Sequence, residues 1–335
     1  MALGAIGTLQ LALLVGGSQA AALARRGIRG PRRPGWSLRT ELAAAGMRAV
    51  VLGSKRRGVH WLREAQAAVP VPSAAARRVG FERVDAGGVP AVWCLPPGPL
   101  PRRTIVYLHG GGYVIGSPHT HRDLIARLAL GVGARVLGVD YRLAPEHRFP
   151  AALDDCAAAW RGLVAGGVDP ARAAFFGDSC GGGLVVSTLL RLRDAGAPLP
   201  ACAATHCGWF DLEVSGDSAK HPAGPDPFVN AEWIRARGRD YLGPKGDPRD
   251  PFVSPIHADL SGLPPLLLQT GQMDTLRDDA VRLAARAGRA GTGVTLEIWP
   301  GMIHGFLGMH GAIPEASWAV RHVAEFAARH TGGPR

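Results

Sequence analysis

The chain contains almost no lysine, because only Lys55, Lys220 and Lys245 occur among its 38 basic residues and the other 35 are arginine. A formal net charge of +11 could indicate a nucleic-acid-binding protein. The arginines are spread along the whole chain, however, and no recognisable nucleic-acid-binding motif accompanies them. We interpret the excess as a coding bias towards arginine, and no nucleic-acid partner is predicted.

Cysteine is also scarce, and its pattern excludes two classes of protein. The five cysteines are odd in number and widely spaced, without any C-x-x-C pair, so neither a disulfide scaffold nor a cysteine-rich metal site is predicted. A reducing compartment, and therefore a cytoplasmic location, is expected. The five residues are Cys94, Cys156, Cys180, Cys202 and Cys207.

The N-terminus lacks charge, since no charged residue precedes Arg25. Residues 9–15 are nearly all apolar and a cluster of arginines follows, a pattern compatible with a membrane anchor or an interfacial helix. Against an anchor, Gln10, Ser18, Gln19 and four glycines dilute the apolar run, and a signal peptide would carry positive charge before it. Membrane association through residues 1–30 and an ordinary packed helix both remain open at this stage.

The rest of the pattern predicts an α/β protein. A chain of 335 residues with 47% hydrophobic content can bury one large core. Short β-branched runs alternate with longer helical runs, which is typical of a mostly parallel sheet covered by helices on both faces. Eight strands are predicted, at 79–84, 89–95, 104–108, 134–140, 173–177, 201–206, 265–270 and 294–299. Helices are predicted at 120–130, 151–164, 181–194, 276–290 and 316–329.

Two segments lie outside this alternation. Residues 1–76 are predicted to form a helical segment, broken at Pro70 and Pro72, and residues 77–335 a catalytic domain. Within the catalytic domain, residues 209–260 are rich in proline and aspartate and contain one predicted helix, 231–239. Long insertions between core elements usually carry function, so both segments are predicted to contribute to a cap.

The strongest local motif is Gly177-Asp178-Ser179-Cys180-Gly181, which lies between a predicted strand and a predicted helix. A serine in such a turn is held in a strained conformation that needs neighbours without bulk and presents its hydroxyl above the sheet edge. The helix that follows adds its dipole to a developing negative charge. A glycine-rich turn that only connects strand to helix is the alternative.

A second glycine motif, His109-Gly110-Gly111-Gly112-Tyr113, follows the predicted strand 104–108. The amides of Gly111, Gly112 and Cys180 are predicted to form an oxyanion hole, because a tetrahedral intermediate needs N–H donors already in place. A phosphate-binding loop is the alternative, but no Lys-Ser or Lys-Thr follows the glycines.

A serine nucleophile also needs an acid and a base, in the chain order Ser, acid, His, each after a later strand. Asp274 and His304 satisfy this order, and Asp278 and Asp279 are weaker candidates because they fall inside the next predicted helix. Two other histidines, at 322 and 330, are placed on the terminal helix.

The motifs 109–112, 141–147, 177–182 and 304–306 together resemble the hormone-sensitive-lipase family of esterases, over about residues 80–310. The resemblance implies an α/β-hydrolase core, a helical cap, no metal, and hydrolysis of short- to medium-chain acyl esters. It also implies Ser179 as nucleophile, His304 as base and Asp274 as its orienting acid. The supporting motif residues are His109, Gly110, Gly177, Asp178 and Gly181.

The chain departs from this family twice, and both departures lie beside site residues. Cys180 stands where the family usually has alanine, and Thr275 where proline commonly follows the acid. The Cys180 thiol is either reactive, at a helix start, or a small buried hydrophobe. Arg142 and Glu146 are predicted to form an internal ion pair.

The predicted mechanism is a small-molecule ester hydrolysis through an acyl-enzyme on Ser179, which requires no redox or group-transfer cofactor. A lactone or amide hydrolase with the same triad remains an alternative, as does a catalytically silent ligand-binding protein on the same fold. The sequence predicts no particular oligomeric state.

Overall fold

The computed structural model describes residues 5–32, 36–68, 73–220, 226, 229–309 and 313–332. Within them, eight strands form one sheet in the order β1-β2-β4-β3-β5-β6-β7-β8. Strands β1 and β2 run antiparallel to their neighbours, and all other pairs are parallel. The strands are β1 Gly80–Asp85, β2 Pro90–Leu95, β3 Thr104–Leu108, β4 Arg135–Val139, β5 Ala173–Asp178, β6 Cys202–His206, β7 Leu266–Gly271 and β8 Val294–Trp299. The predicted strands are confirmed to within two residues.

Helices cover both faces of the sheet, as predicted. They are α1 Ala5–Arg29, α2 Leu38–Ala68, α3 Arg122–Val132, α4 Ala151–Ala165, α5 Cys180–Asp194, α6 Asp217–Lys220, α7 Ala231–Leu242, α8 Arg277–Arg289 and α9 Pro314–His330. Helices α4, α5 and α8 share one hydrophobic core, and α3 and α9 share the core on the opposite face. This arrangement is the α/β-hydrolase architecture that the sequence predicted.

The side chains of strand β3 are divided between the two hydrophobic cores, one on each face of the sheet. All five of its residues are buried. Because successive side chains of a strand point to opposite faces, Val106 and Leu108 join the core that contains Trp160 of α4, whereas Ile105 and Tyr107 join the core that contains α3 and α9. A strand buried on both faces reads as a continuous apolar run, and the sequence of β3 is Thr-Ile-Val-Tyr-Leu.

The N-terminal region forms two helices that pack against each other. The Ser18 hydroxyl donates a hydrogen bond to the Ala45 carbonyl at 2.9 Å, and Arg25 and Arg26 both pair with Glu41. The indole N–H of Trp36 donates to the Gly301 carbonyl at 3.2 Å and so connects this region to the loop after β8. None of the helices within the described residues is long and apolar enough to cross a membrane.

The stretch between β6 and β7 is the long excursion that the sequence indicated. It contains the short helix α6 and the helix α7, which begins where predicted and ends three residues later. Its described part contains no strand. Asn230 caps α7, because its side chain accepts a hydrogen bond from the N–H of Trp233 at 2.9 Å. Pro70 and Pro72, predicted to interrupt the N-terminal helices, lie outside the described residues.

Candidate active site

Ser179 occupies a strained turn between β5 and α5, with φ 54° and ψ −124°. A β-carbon on Gly177 would lie 2.4 Å from the carbonyl oxygen of Gly181, and one on Gly181 would lie 2.1 Å from that of Leu108. Both positions therefore require glycine, since no side chain fits between these backbones. Strain of this kind persists only where the surroundings enforce it, and here it exposes the serine hydroxyl at the carboxyl edge of the sheet.

Three side chains meet at that edge in one hydrogen-bonded line. Ser179 Oγ lies 2.9 Å from His304 Nε2, and His304 Nδ1 lies 2.9 Å from Asp274 Oδ1. Ser179 follows β5, Asp274 follows β7 and His304 follows β8. The carboxyl ends of parallel strands share one edge of a sheet, which explains how residues 125 positions apart come into contact.

The Asp274 carboxylate is buried and held from several sides. It accepts hydrogen bonds from the N–H of Leu276 at 2.8 Å and from the Thr270 hydroxyl at 3.1 Å, besides its contact with His304. Burial alone would raise the pKa of Asp274, but the charge and hydrogen bond of His304 outweigh it, and the pKa is lowered. Asp274 is therefore held as the anion.

His304 shows the opposite balance. Burial alone would lower its pKa, but the neighbouring Asp274 carboxylate, assisted by the charges of Asp226 and Asp178, raises the pKa above the ordinary histidine value. The imidazolium is thus stabilised by negative charge, and this arrangement suits a base that accepts a proton from Ser179.

The two weaker acid candidates are held elsewhere. Asp279 accepts hydrogen bonds from the N–H groups of Phe210 and Asp211, each at 3.0 Å, and its burial raises its pKa well above the usual range. Asp278 accepts from the N–H of Ser218 at 2.8 Å and pairs with Arg277. The structure thus brings Asp274, and neither of these two, to His304.

The glycine loop after β3 lies beside Ser179 and lines the same cavity. Gly111 has φ 129°, and a β-carbon there would lie 2.2 Å from the carbonyl oxygen of Ile115. No acceptor among the described residues pairs with the N–H of Gly111 or of Cys180. The backbone of Gly112 also interacts with the sulfur of Cys180.

Asp178 connects this loop to the serine turn. Its carboxylate accepts hydrogen bonds from the Tyr107 hydroxyl and from the N–H of Gly110, the latter at 3.1 Å. A β-carbon on Gly110 would lie 2.3 Å from that carboxylate, so the approach requires glycine. Asp178 therefore fixes the distance between the two motifs that the sequence identified.

His109 is buried and neutral. Burial, followed by the neighbouring His121, lowers its pKa to about 3. Its ring stacks on Tyr141 with centroids 4.2 Å apart, and the Tyr141 hydroxyl donates to the His109 carbonyl at 2.6 Å. His109 is therefore a packing residue next to the glycine loop. The histidine that hydrogen-bonds to Ser179 is His304.

The predicted ion pair between Arg142 and Glu146 is wrong. Arg142 pairs instead with Asp155 of α4 at 2.7 Å, and Glu146 pairs with Arg63 of α2 at 2.8 Å. These partners are 13 and 83 residues away in the chain, so local spacing could not reveal them. The Arg63 contact attaches the N-terminal helices to the catalytic domain.

The alternative of a reactive Cys180 thiol is also wrong. The side chain is fully buried, and its sulfur accepts a hydrogen bond from the N–H of Tyr113 at 3.1 Å. Burial raises the pKa of Cys180 to about 12, so the helix start does not yield a thiolate. Cys180 is the small buried hydrophobe of the other alternative, and all five cysteines are buried free thiols.

The cavity above Ser179 has a volume of about 350 Å³. Its wall is mostly apolar and comes from α2, from the loop before α7 together with α7 itself, and from the glycine loop. Large side chains that line it are Met47, Val50, Leu62, Ile115, Trp233 and Leu307. A second groove, of about 470 Å³ and lined by Phe81 and Arg122 among others, contains none of the predicted site residues.

Among the described residues, two groups of side chains have donor atoms close enough to share a metal ion: Cys207 with Asp274 and His304, and Asp211 with Glu213 and His257. In the first group, Asp274 and His304 already hydrogen-bond to each other. A metal there would compete with the contact that orients His304.

Sequence reasoning missed two residues at this site. The Asp226 carboxylate accepts a hydrogen bond from the backbone N–H of His304 at 2.9 Å. Cys207, with φ 50°, accepts from the N–H of Gly305 at 3.4 Å, and its sulfur lies within 4.8 Å of the Asp274 carboxylate. Neither residue belongs to a local motif, so only the folded chain reveals these contacts.

Comparison with known proteins agrees with this fold. Residues 105–308 match a sequence family whose description is the α/β-hydrolase fold. An acetyl-hydrolase of Streptomyces hygroscopicus is 43% identical over 249 residues, covering 74% of this chain and 83% of the relative. The crystal structure of an esterase from the bacterial hormone-sensitive lipase family has a TM-score of 0.77 at 38% identity, covering 99% of this chain and 100% of that one.

A crystal structure of EstE5, soaked with p-nitrophenyl butyrate, has a TM-score of 0.79 at 34% identity and covers 96% of this chain and 99% of that one. The chain therefore belongs to the α/β-hydrolase family, among its hormone-sensitive-lipase-type esterases. It is a carboxylic-ester hydrolase.

Proposed function

We propose that the chain hydrolyses esters through an acyl-enzyme on Ser179. The observation that carries this proposal is the line from Ser179 Oγ through His304 to Asp274, with both contacts at 2.9 Å. His304 takes the serine proton as Oγ attacks the ester carbonyl and returns it to the leaving alcohol. Asp274 holds the imidazole in the required tautomer and stabilises its charge, and water then repeats the cycle on the acyl-enzyme.

The oxyanion of each tetrahedral intermediate is proposed to bind to the amides of Gly111, Gly112 and Cys180. The amides of Gly111 and Cys180 support this most directly, because neither has a protein acceptor in the described part of the chain. The Cys180 amide is the first of α5, where the helix leaves its N–H groups unpaired and its dipole favours negative charge.

The proposed substrates are esters of short- to medium-chain acids. A cavity of about 350 Å³ lies near the lower end of the range of roughly 300–1,000 Å³ typical of small-molecule sites. Its apolar wall suits an alkyl chain. The relative from Streptomyces is named an acetyl-hydrolase, and the EstE5 crystals were soaked with a butyrate ester, so both names fit small acyl groups.

We also propose that the N-terminal helices and the insertion 209–260 form a cap over this cavity. Met47 and Leu62 of α2 and Trp233 of α7 line the cavity together with Ser179. The hydroxyl of Thr275, beside the acid, donates to the Val229 carbonyl at 2.7 Å and connects the insertion to the loop that carries Asp274.

Acyl-chain preference tests the proposed substrate class. We expect kcat/KM for p-nitrophenyl esters to be highest for acetate or butyrate and to fall by about tenfold or more towards laurate, because an acyl chain too long for the cavity clashes with its wall and cannot place its carbonyl correctly at Ser179. The rate at which hydroxide alone hydrolyses each ester is also measured, so that the enzymatic rates can be corrected for differences in the esters' intrinsic reactivity. A profile that rises up to laurate would contradict the assignment, and faster cleavage of a matching lactone or anilide would favour the alternative substrates.

The acid limb of the pH profile tests the charge environment of His304. Since Asp226 helps to raise the pKa of His304, Asp226→Asn should lower that pKa and move the acid limb of kcat/KM to lower pH. Asparagine keeps an oxygen for the His304 N–H, so most turnover at high pH should remain. Asp217→Asn, at an exposed site in the same insertion, serves as the control. An unchanged limb in Asp226→Asn would show that Asp226 acts only as a structural anchor.

A further inference from the structure

Helix α1 exposes an unusually apolar face. Leu9 is 60% exposed, Leu13 67%, Leu23 53% and Ile28 83%, and most of the other exposed positions between them are alanine or glycine. With 3.6 residues per turn, Leu9, Leu13, Ala20 and Leu23 follow one another along a single stripe. We call the exposed side that contains Leu9, Leu13, Ala20, Leu23 and Ile28 the α1 outer face.

The inner side of α1 is already occupied by α2. Leu11 is buried, the Ser18 hydroxyl donates to the Ala45 carbonyl, and the Gln19 amide donates to the Leu42 carbonyl at 3.3 Å. The α1 outer face is therefore a surface that remains after the two helices have packed. A single exposed leucine is ordinary, but a continuous apolar stripe along a helix indicates an interaction surface.

Charge is concentrated in the same part of the chain. Residues 1–68 contain 11 lysines and arginines but only two acidic residues, Glu41 and Glu64, whereas the remaining residues contain 27 basic and 25 acidic side chains. Arginine is spread along the whole chain, but acidic residues are not. The initial interpretation of the charge as a coding bias therefore misses a basic N-terminal region.

The local ion pairs increase this asymmetry. Glu41 is buried and paired with Arg25 and Arg26, so it contributes no negative charge to the surface. Arg29 and Arg39 are exposed and form no ion pair within the described residues. Arg29 is the last residue of α1, next to the exposed Ile28, and Arg39 lies in the first turn of α2, which the contacts of Glu41 with Arg25 and Arg26 hold beside the end of α1.

We propose that the α1 outer face lies on an anionic lipid surface. The helix would lie in the plane of the interface, with its leucines among the acyl chains and with Arg29 and Arg39 near the lipid phosphates. Charge complementarity favours this partner over a second copy of the chain, whose N-terminal region would be equally basic. The proposal does not depend on the catalytic residues, although α2, on which α1 packs, lines the cavity above Ser179.

Co-sedimentation with vesicles tests the proposal on the full chain without substrate. Wild type should bind vesicles of phosphatidylcholine mixed with phosphatidylglycerol and should bind phosphatidylcholine alone much more weakly. High salt should release it, because screening weakens charge attraction. Arg29→Gln with Arg39→Gln should weaken binding by about 25-fold, since each basic residue near such a surface contributes about fivefold.

Two matched controls separate the surface from general effects. Leu13→Gln with Leu23→Gln should reduce binding by at least about tenfold, because two apolar side chains no longer enter the lipid. Leu100→Gln, at a leucine that is 62% exposed outside α1, should bind like wild type. Arg102→Gln with Arg289→Gln removes the same charge from the catalytic domain and should also bind nearly like wild type.

Three results would overturn the proposal. The first is that the protein binds neutral and anionic vesicles equally well. The second is that the variant with both Leu13→Gln and Leu23→Gln still binds. The third is that the wild-type protein forms a dimer and that this leucine variant does not. The last result would identify a second copy as the occupant of the α1 outer face. Turnover of p-nitrophenyl acetate by each variant confirms that it is folded, because none of the altered residues contacts the active site.

Discussion

Replacing Ser179 by alanine is expected to reduce kcat for ester hydrolysis by on the order of 10⁶-fold, because the proposed acyl-enzyme cannot form without its oxygen. The fold should survive, since alanine fits the turn and, among the described residues, the hydrogen bond of Ser179 Oγ goes to the His304 ring. Turnover of p-nitrophenyl butyrate by the purified variant gives the measurement, and thermal unfolding checks the fold.

Ser261→Ala is the control, since Ser261 lies before β7, at the amino end of the sheet. Its turnover should equal that of wild type. Substantial residual activity in Ser179→Ala would assign the nucleophile to another residue and would overturn the proposed chemistry.

Asp274→Asn is expected to lower kcat by about 10⁴-fold. The amide can present a donor where His304 Nδ1 needs an acceptor, so the imidazole loses both the required tautomer and the charge that stabilises its protonated form. The kcat of the purified variant on p-nitrophenyl butyrate measures this loss. KM should change little, because Asp274 is buried away from the cavity wall.

Asp278→Asn provides the comparison, because Asp278 lies on the adjacent helix and pairs with Arg277 and the N–H of Ser218. It should keep activity within a few-fold of wild type. If Asp278→Asn were the more damaging change, the acid would be assigned to the wrong carboxylate.

Local motifs and strand order made much of this site predictable from the sequence. The serine turn requires glycine on both sides, and the glycine loop needs residues without side chains for close backbone approach, so both appear as short patterns. Asp274 and His304 could be found because a parallel sheet gathers its carboxyl ends at one edge. The alternation of apolar runs likewise predicted the strands.

Contacts that depend on distant packing could not be predicted in this way. Arg142 and Glu146 suit each other by charge, but α4 and α2 supply nearer partners. Asp226 lies in an insertion without periodic pattern, and only the folded chain brings it to the His304 backbone. The burial of the Cys180 side chain likewise depends on the folded chain, in which the N–H of Tyr113 donates a hydrogen bond to its sulfur.

Direct observation of the acyl-enzyme tests the central claim most directly. Wild-type protein would be mixed with p-nitrophenyl butyrate, quenched in acid during turnover and digested, and the peptides analysed by mass spectrometry. One butyryl group should be found on the peptide that contains Ser179, at Ser179 itself, and it should be absent from Ser179→Ala. A butyryl group on another residue that turns over at the rate of hydrolysis, or turnover without any acylated protein, would contradict the proposed mechanism.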